Sequence, residues 1–194
     1  MEILIYGTAN SIVFALIAVG FSLVYGVSRI PNFAHGSIYV LVGFLTWSFV
    51  NDLKMNYALA IIMSLIIASI IGLVIYRFIL IRLRGMPTSE IIASFAVSLI
   101  ILEGLRMQGI AGFKGFIGPF YVLHPFIEGK ISIFGVFVDY QRLIIIAGGL
   151  VVIIFIWLFT HYTKTGLSLR AIAQDEQAAM MLGVNSDRTA MISL

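Results

Sequence analysis

Five stretches of mostly apolar residues constrain this chain more than any other feature. Each holds about 20 residues, the length an α-helix needs to cross a bilayer. They run from about Thr8 to Val27, Phe33 to Val50, Tyr57 to Leu80, Ile91 to Met107 and Arg142 to Thr160. Charged residues make up 11% of the 194 residues, whereas a soluble domain carries roughly 25%. We therefore expect an all-α, polytopic bundle of transmembrane helices.

The start of the chain predicts a retained membrane span, and its end predicts that the protein continues. The first apolar stretch follows an acid, Glu2, lacks a basic leading segment and is too long for a signal-peptide core, so we expect it to remain as a membrane span. Near the other end, Asn185 or Ser186 is a candidate N-cap for a new apolar helix. About eight residues of helix cannot cross a bilayer. We therefore expect one transmembrane domain, residues 1–194, that is truncated at its C-terminal end.

The basic residues predict how the helices are oriented, since Lys and Arg concentrate in cytoplasmic loops. The net charge is +3, and in a membrane protein we attribute it to such loops rather than to nucleic-acid binding. One side holds the connections near 28–32, 77–90 and 161–188, with Arg29, Arg77, Arg82, Arg84, Lys164, Arg170 and Arg188. The other side holds those near 51–56 and 107–141, with Lys54, Lys114 and Lys130, and with Arg106 and Arg142 at the span ends. The cluster YRFILIRLRG places 77–90 and 161–188 in the cytoplasm and the N-terminus outside.

The stretch IPNFAHGSIY, residues 30–39, interrupts the apolar sequence with polar and helix-breaking residues. Pro31 forces the preceding residue out of a helix. Irregular backbone at membrane depth is stable only inside protein or along a water-filled cavity. Asn32 and His35 are therefore candidates to line a polar pathway. An interfacial turn in which Asn32 caps the second helix explains the residues equally well, and both interpretations can hold together.

The fourth apolar stretch contains an acid and a base, Glu103 and Arg106, three residues apart. This spacing puts them on one helix face, where they can pair. Glu103 lies about 18 Å along the helix from Ile91, past the middle of a ~30 Å hydrocarbon core. Such residues usually face the protein interior or a cavity, which makes Glu103 a pathway candidate. The alternative is a pair that snorkels at the outer end of a short span.

The stretch TKTGLSLRAIAQDEQAAMMLGVNSDR, residues 163–188, is too polar to cross a bilayer. It predicts one helix from about Ser168 to Leu182, with a Ser or Thr N-cap, Gly183 in a left-handed C-terminal cap and Val184 just beyond. One apolar stripe is predicted, made of Leu169, Ile172, Ala173, Ala179 and Met180. The side chains of Arg170, Gln174, Asp175 and Gln177 lie largely off it. Such a helix is suited to docking into a partner's groove; its weak charge disfavours the alternative, a helix lying on the membrane.

Two segments together resemble the signature regions of the bacterial branched-chain amino acid ABC transporter permeases of the high-affinity, inner-membrane type. They are ALIAVGFSLVYGVSRIPNFAHGSIYVLVG and TKTGLSLRAIAQDEQAAMMLGVNSDR. The resemblance implies that residues 161–188, here named the coupling segment, contact the ATPase of the transporter. The matching positions are Gly166, Arg170, Ala171, Ala173, Asp175, Ala178, Ala179, Gly183 and Val184.

The same resemblance implies a permease subunit that imports leucine, isoleucine and valine across the inner membrane without chemistry of its own. The chain has no phosphate-binding G-x-x-x-x-G-K-[ST] loop, so we expect a partner to bind the ATP and this chain to need no cofactor or metal. The implied partners are cytoplasmic ATPase subunits, a second homologous permease and an external substrate-binding protein; no nucleic acid is expected. The external protein would set much of the selectivity.

Three other functions fit less well. Urea or short amides are alternative substrates within the same superfamily, and a non-functional truncated relative is another explanation of the chain. An intramembrane hydrolase would need His35 and Ser37 as base and nucleophile. Two residues apart on one helix, their side chains point roughly 200° apart, whereas a nucleophile must be within hydrogen-bond reach of its base.

Overall fold

The computed structural model describes residues 2–28, 32–83, 85–110, 127, 129–133 and 136–193. Among the residues used above, Arg29, Pro31, Arg84 and Lys114 lie outside these ranges. The chain divides into two compact units. The first combines Met1–Ser28 with Pro125–Ser193, and the second is formed by Arg29–His124.

The first unit contains two long helices, α1 (Glu2–Ser28) and α6 (Tyr140–Tyr162), which pack against each other. Three short helices follow α6 in the chain: α7 (Lys164–Gln174), α8 (Glu176–Met181) and α9 (Ser186–Ser193). Both α7 and α9 contact α1. A hairpin of β1 (Lys130–Ile133) and β2 (Val136–Asp139) precedes α6.

The second unit is formed by α2 (His35–Asn51), α3 (Tyr57–Ile75), a π-helical turn (Tyr76–Leu80), α4 (Ile81–Leu83) and α5 (Pro87–Ile110). The first of these helices packs against both α3 and α5. The π-helical turn joins α3 to α4 without a break, so the helical path runs from Tyr57 to Leu83.

Within the described residues, four helices are long and apolar enough to cross a membrane: Tyr6–Ser28, Tyr57–Leu83, Thr88–Met107 and Tyr140–Tyr162. They correspond to the first, third, fourth and fifth predicted spans. Large apolar side chains stay exposed on them, as at Val151 (65%) and Phe155 (66%), which is expected of surfaces that face lipid. The second predicted span is α2, which at 17 residues is shorter than the other four.

The close packing of α2 on α3 follows from small residues spaced four apart. Ala60, Ser64, Ala68 and Gly72 form one buried stripe along α3. The Thr46 hydroxyl on α2 lies 3.0 Å from the Ser64 hydroxyl and forms a hydrogen bond across the two helices. In a bilayer, where burial of apolar surface gives helices no reason to associate, small residues and such hydrogen bonds supply the contact.

In the first unit, α1 and α6 approach closely at Gly149. A Cβ atom on Gly149 would collide with the side chain of Ile12. The neighbouring residue Gly148 has open space around it. Only one of the two adjacent glycines is therefore required by the packing of α1 on α6.

The β-hairpin is a departure from the all-α prediction. Its strands are antiparallel, with Lys130 opposite Asp139, and the Lys130 Nζ atom lies 3.8 Å from the Asp139 carboxylate. The sequence KISI-FG-VFVD carries a signal for it, namely two β-branched and aromatic runs around a two-residue connection. The helical prediction therefore holds for the membrane-spanning body but not for this connection.

Candidate functional site

The Thr163 side chain forms hydrogen bonds on both sides of the turn from α6 into α7. Its hydroxyl donates to the carbonyl of Phe159 (2.7 Å) and accepts from the backbone N–H of Gly166 (2.9 Å). The hydroxyl thus adds a second hydrogen bond to the carbonyl of Phe159, which also accepts from the N–H of Thr163 at 3.3 Å. It also satisfies an N–H at the start of α7 that a helix leaves without an intrahelical partner. The prediction of a Ser or Thr N-cap is confirmed, although α7 begins at Lys164 rather than near Ser168.

Gly166 brings the first turn of α7 against the last turns of α6. A Cβ atom at this position would lie 2.6 Å from the Cα atom of Thr160 and would also collide with the carbonyl oxygen of Phe159. Both are backbone atoms, so a rotamer change cannot relieve the collision. The resemblance implied a role for Gly166 without giving a reason; the structure shows that a side chain does not fit there.

Arg170 ties α7 back to the end of α6. Its guanidinium donates to the carbonyl of His161 at 3.4 Å. The C-terminal end of a helix carries a partial negative charge, so a cation is favoured there. The angle between α6 and α7 is therefore set by contacts of Thr163, Gly166 and Arg170.

The coupling segment is not the single helix that the sequence predicted over Ser168–Leu182. It breaks at Asp175, whose backbone is extended (φ −147°, ψ 107°), and α8 starts at Glu176. The Asp175 carboxylate accepts from the N–H of Ala178 at 3.1 Å and so caps α8. A short carboxylate side chain competes with the helix for backbone N–H groups, which is the physical reason for the break.

The predicted left-handed cap at Gly183 is confirmed, with φ +86°. The N–H of Gly183 donates to the carbonyl of Met180 (3.0 Å), and the N–H of Val184 donates to that of Ala179 (3.1 Å). This is the double hydrogen-bond pattern that ends many helices at a glycine. Asn185 then caps α9 through its side-chain oxygen, which accepts from the N–H of Arg188 at 2.9 Å.

The apolar stripe of the coupling segment faces the chain's own interior. Leu169, Ile172 and Ala179 are at most 3% exposed. A Cβ atom on Gly26 of α1 would be 3.9 Å from the Cβ atom of Ala173, so α7 lies close to α1. Ala179 therefore packs within the first unit, and the half-buried Ala173 lies beside α1.

The outward surface of the coupling segment carries a different set of residues. Met180 belongs to it, being 48% exposed, because the break at Asp175 changes the phase of α8 relative to α7. Two further apolar side chains, Met181 (87%) and Leu182 (85%), are among the most exposed in the described part of the chain. The four polar residues that were predicted to lie off the stripe, Arg170, Gln174, Asp175 and Gln177, are exposed. Ala171 is half-buried and Ala178 is exposed.

Asn32 lies buried (4% exposed) just before α2. Its side-chain oxygen accepts from the N–H of Ala34 at 3.1 Å, and its backbone carbonyl accepts from the N–H of His35 at 3.2 Å. The N-cap position of α2 is Ala34, so the expectation that Asn32 caps this helix is wrong; Asn32 shapes the turn before it. His35 is the first residue of α2 and is half-buried.

Glu103 and Arg106 form the predicted ion pair on α5, with 3.5 Å between the Arg106 Nε atom and the Glu103 carboxylate. Both side chains are exposed, at 60% and 66%. The structure thus gives Glu103 a partner within its own helix and gives Asn32 partners within its own turn. It does not gather the three pathway candidates into one site.

The hydrolase alternative finds no support in the geometry. The hydroxyl of Ser37 donates to the carbonyl of Ala34 at 2.8 Å and is buried. A serine nucleophile must give its proton to a base, whereas this proton is held by the backbone.

Two helix caps and one contact between helices of the coupling segment were missed or misplaced by sequence reasoning. Thr163 and Asp175 are both residues that favour helix starts, so a signal was present. The third is a hydrogen bond from Ser186 to the carboxylate of Glu176, which joins α9 to α8. No sequence rule predicts a side-chain contact across the turn at Gly183.

The family described as "Branched-chain amino acid transport system / permease component" matches residues 3–194. The high-affinity branched-chain amino acid transport system permease protein BraD of Pseudomonas aeruginosa is 26% identical over 96% of this chain and 63% of its own length. LivH of Salmonella typhimurium, with the same descriptive name, is 26% identical over 90% of this chain and 59% of its own. The probable branched-chain amino acid transport permease protein LivH of Methanocaldococcus jannaschii is 24% identical, over 92% and 56%.

No solved structure matches the chain significantly. The chain spans between 56% and 63% of the length of these curated relatives.

Proposed function

Because this chain belongs to the family of branched-chain amino acid transport system permease components, we propose that it is the transmembrane permease subunit of an ATP-driven importer for leucine, isoleucine and valine. The match over residues 3–194 is the observation that carries the proposal. Two relatives named as high-affinity permeases for these substrates align with at least 90% of the chain and support it. The relatives are named as transport permeases, which supports translocation as the function.

The ATPase would dock on the coupling segment. It would itself bind the ATP, and this chain would bind no cofactor. The outward surface of the coupling segment has the apolar and polar groups that a groove in a partner would contact: Met180, Met181, Leu182, Arg170 and Gln174. Gly166, Asp175 and Gly183 shape the segment; Ala171, Ala173, Ala178, Ala179 and Val184 complete the set implied by the resemblance. Because α7 is fixed to α6 and α8 is hydrogen-bonded to α9, movement of the ATPase would act on two helices at once.

The substrate pathway would run past Asn32 and His35, with Glu103 as a further candidate. A second, homologous permease would complete the pathway, and an external substrate-binding protein would deliver the amino acid. A matched pair of variants tests the role of Asn32. Asn56 makes the same side-chain bond to the N–H two residues on, at 3.0 Å, but lies exposed before α3. We expect Asn32→Ala to abolish most uptake and Asn56→Ala to preserve it; equal uptake in both would leave Asn32 with a turn-forming role only.

We further propose that the protein lies in the bacterial inner membrane with α2 as a fifth span, its N-terminus outside and 77–90 and 161–188 in the cytoplasm. The chain has no cysteine, so single cysteines report position cleanly. Cysteines at Ser89 and Ser168 should react with a membrane-impermeant maleimide only from the cytoplasmic side, and one at Lys130 only from outside. The reverse labelling pattern would contradict this orientation.

Uptake in proteoliposomes tests the function. The full-length protein would be reconstituted with its partner permease, ATPases and binding protein, and radiolabelled leucine, urea and acetamide would be offered in parallel. We expect ATP-dependent uptake of leucine and stimulation of ATP hydrolysis by the leucine-loaded binding protein. Uptake of urea or acetamide without leucine would overturn the assigned substrate. An assembled complex that imports none of them would overturn the transport function.

A further inference from the structure

A cavity of about 320 Å³ opens in the first unit between α1 and the start of α6, away from the coupling segment. Its volume falls within the range of small-molecule sites, roughly 300–1,000 Å³. Its walls come from two elements: Ala9, Asn10 and Val13 of α1, and Asp139, Gln141, Arg142 and Ile145 around the start of α6. None of these residues belongs to the coupling segment or to the proposed pathway.

A cation and an anion border this cavity, three residues apart in the chain. The guanidinium carbon of Arg142 lies 3.9 Å from the centre of the Tyr6 ring. Stacking on an aromatic face fixes the guanidinium plane but leaves its N–H donors, which lie in that plane, directed outward. Such a fork matches the two oxygens of a carboxylate.

The anion is Asp139, which precedes the first residue of α6. Its pairing with Lys130 is loose, at 3.8 Å, and both side chains remain largely solvated, at 45% and 65% exposure. Its side chain does not cap α6. A carboxylate has about four acceptor positions, so the Lys130 contact leaves Asp139 able to accept an ammonium group.

The rest of the wall is apolar or neutral. Ala9 is 3% exposed, and Val13 and Ile145 present branched aliphatic side chains. Asn10 and Gln141 add amide groups that can donate or accept. A ligand with an anionic group, a cationic group and an aliphatic body would contact all parts of the cavity, whereas a simple fatty acid would make no use of Asp139 and a simple amine none of Arg142.

We propose that this cavity binds a zwitterionic α-amino acid with an aliphatic side chain, its carboxylate on Arg142, its ammonium on Asp139 and its side chain against Val13 and Ile145. The inference rests on the proposed function, since it assigns a place on this chain to the amino acid that the permease would import. In the proposed orientation the cavity lies at the outer ends of α1 and α6, where an external binding protein releases the amino acid.

Direct binding tests the site without transport. The full-length protein in nanodiscs would be equilibrated with tritiated leucine, and saturable binding measured for the parent, Arg142→Gln, Asp139→Asn and Val13→Phe. Removing one charge-assisted partner should weaken binding about tenfold or more. Val13→Phe keeps every charge but fills the cavity, so it separates loss of space from loss of charge. Lys54→Gln, which removes an exposed cation from the predicted outer side, is the matched control and should bind as the parent does.

Two leucine analogues identify which group each residue holds. Leucinamide lacks the carboxylate, and 4-methylpentanoate lacks the ammonium. The parent should prefer leucine to both; Arg142→Gln should lose most of its preference over leucinamide, and Asp139→Asn most of its preference over 4-methylpentanoate. Absence of saturable leucine binding in the parent, or parent-like affinities in all three cavity variants, would overturn the site.

The uptake assay keeps the two proposals distinguishable. If the assembled transporter imports leucine but the cavity variants show an unchanged KM and an unchanged affinity in nanodiscs, the site is wrong and the function stands. If leucine binds in the cavity and the assembled complex does not import it, the function is wrong and the site stands.

Discussion

Substituting Gly166 by alanine should widen the angle between α6 and α7. The added Cβ atom would start 2.6 Å from the Cα atom of Thr160, so the first turn of α7 must lift by roughly 1 Å to reach an ordinary contact distance. Gly166 lies about 4.5 Å along the helix axis from Thr163, and Gln174 about 16 Å. With Thr163 as the pivot, a lift of that size displaces Gln174 by about 3 to 4 Å.

The free energy of unfolding should decrease in Gly166→Ala, whereas helix propensity alone predicts an increase. Replacing glycine by alanine within a helix normally stabilises it by up to about 1 kcal/mol. Overpacking against fixed backbone costs about 1–3 kcal/mol. The cost of the collision exceeds the gain in helix propensity, so the Gly166→Ala variant should be less stable than the parent by about 1–2 kcal/mol. Gly104→Ala on α5, where nothing lies within 4 Å, is the control and should be neutral or more stable.

Spin labels measure the displacement directly. Cysteines would be placed at Phe155 of α6, which is 66% exposed, and at Gln174 of α7, which is also exposed. Residues 1–194 contain no other thiol. Electron–electron resonance should show the label-to-label distance shift by about 3 Å in Gly166→Ala and remain unchanged in Gly104→Ala. An unchanged distance together with a stability gain equal to that of the control would refute the claim that the contact at Gly166 sets the angle between α6 and α7.

Three further substitutions probe the helix ends and the α1–α6 contact. Gly183→Val should destabilise the protein by about 1–2 kcal/mol, because a β-branched residue disfavours the positive φ of +86°, whereas Gly183→Asn should cost less in the same denaturation assay. Thr163→Val should cost about 1 kcal/mol by removing the hydrogen bonds of its hydroxyl to Phe159, Thr165 and Gly166, and Thr163→Ser should retain most of the stability. Gly149→Ala should lower the thermal midpoint and Gly148→Ala should not; equal midpoints would mean that Ile12 moves aside without cost.

The membrane-spanning body was predictable because its signal is local. Length and polarity decide whether a helix can cross a bilayer, and the predicted bounds lie within a few residues of the four long helices. Gly183 was predictable for the same reason, since a glycine after an apolar helical run favours a left-handed cap wherever the helix packs. The hairpin before α6 also had a local signal, but the prediction of an all-helical fold left it unused.

The candidate site was less predictable because its details depend on what lies across from each residue. The periodicity of Leu169, Ile172 and Ala179 identifies a buried face but not the surface that buries it, which is the chain's own interior. Asp175 interrupts a pattern that reads as continuous, because a carboxylate that caps α8 competes with the helix that α7 would otherwise extend. The need for glycine at Gly166 comes from the backbone of α6, which no spacing rule contains.

The break at Asp175 also separates two mechanical attachments of the coupling segment. Before it, α7 is fixed to α6 by the Thr163 hydroxyl and the Arg170–His161 contact. After it, α8 is held to α9 by the Ser186–Glu176 hydrogen bond, and the cap at Gly183 sets the angle between them. A single rigid helix would force α6 and α9 to move together. Because two helices joined at an extended residue do not share one axis, a push from the ATPase proposed above would reach α6 through α7 and α9 through α8.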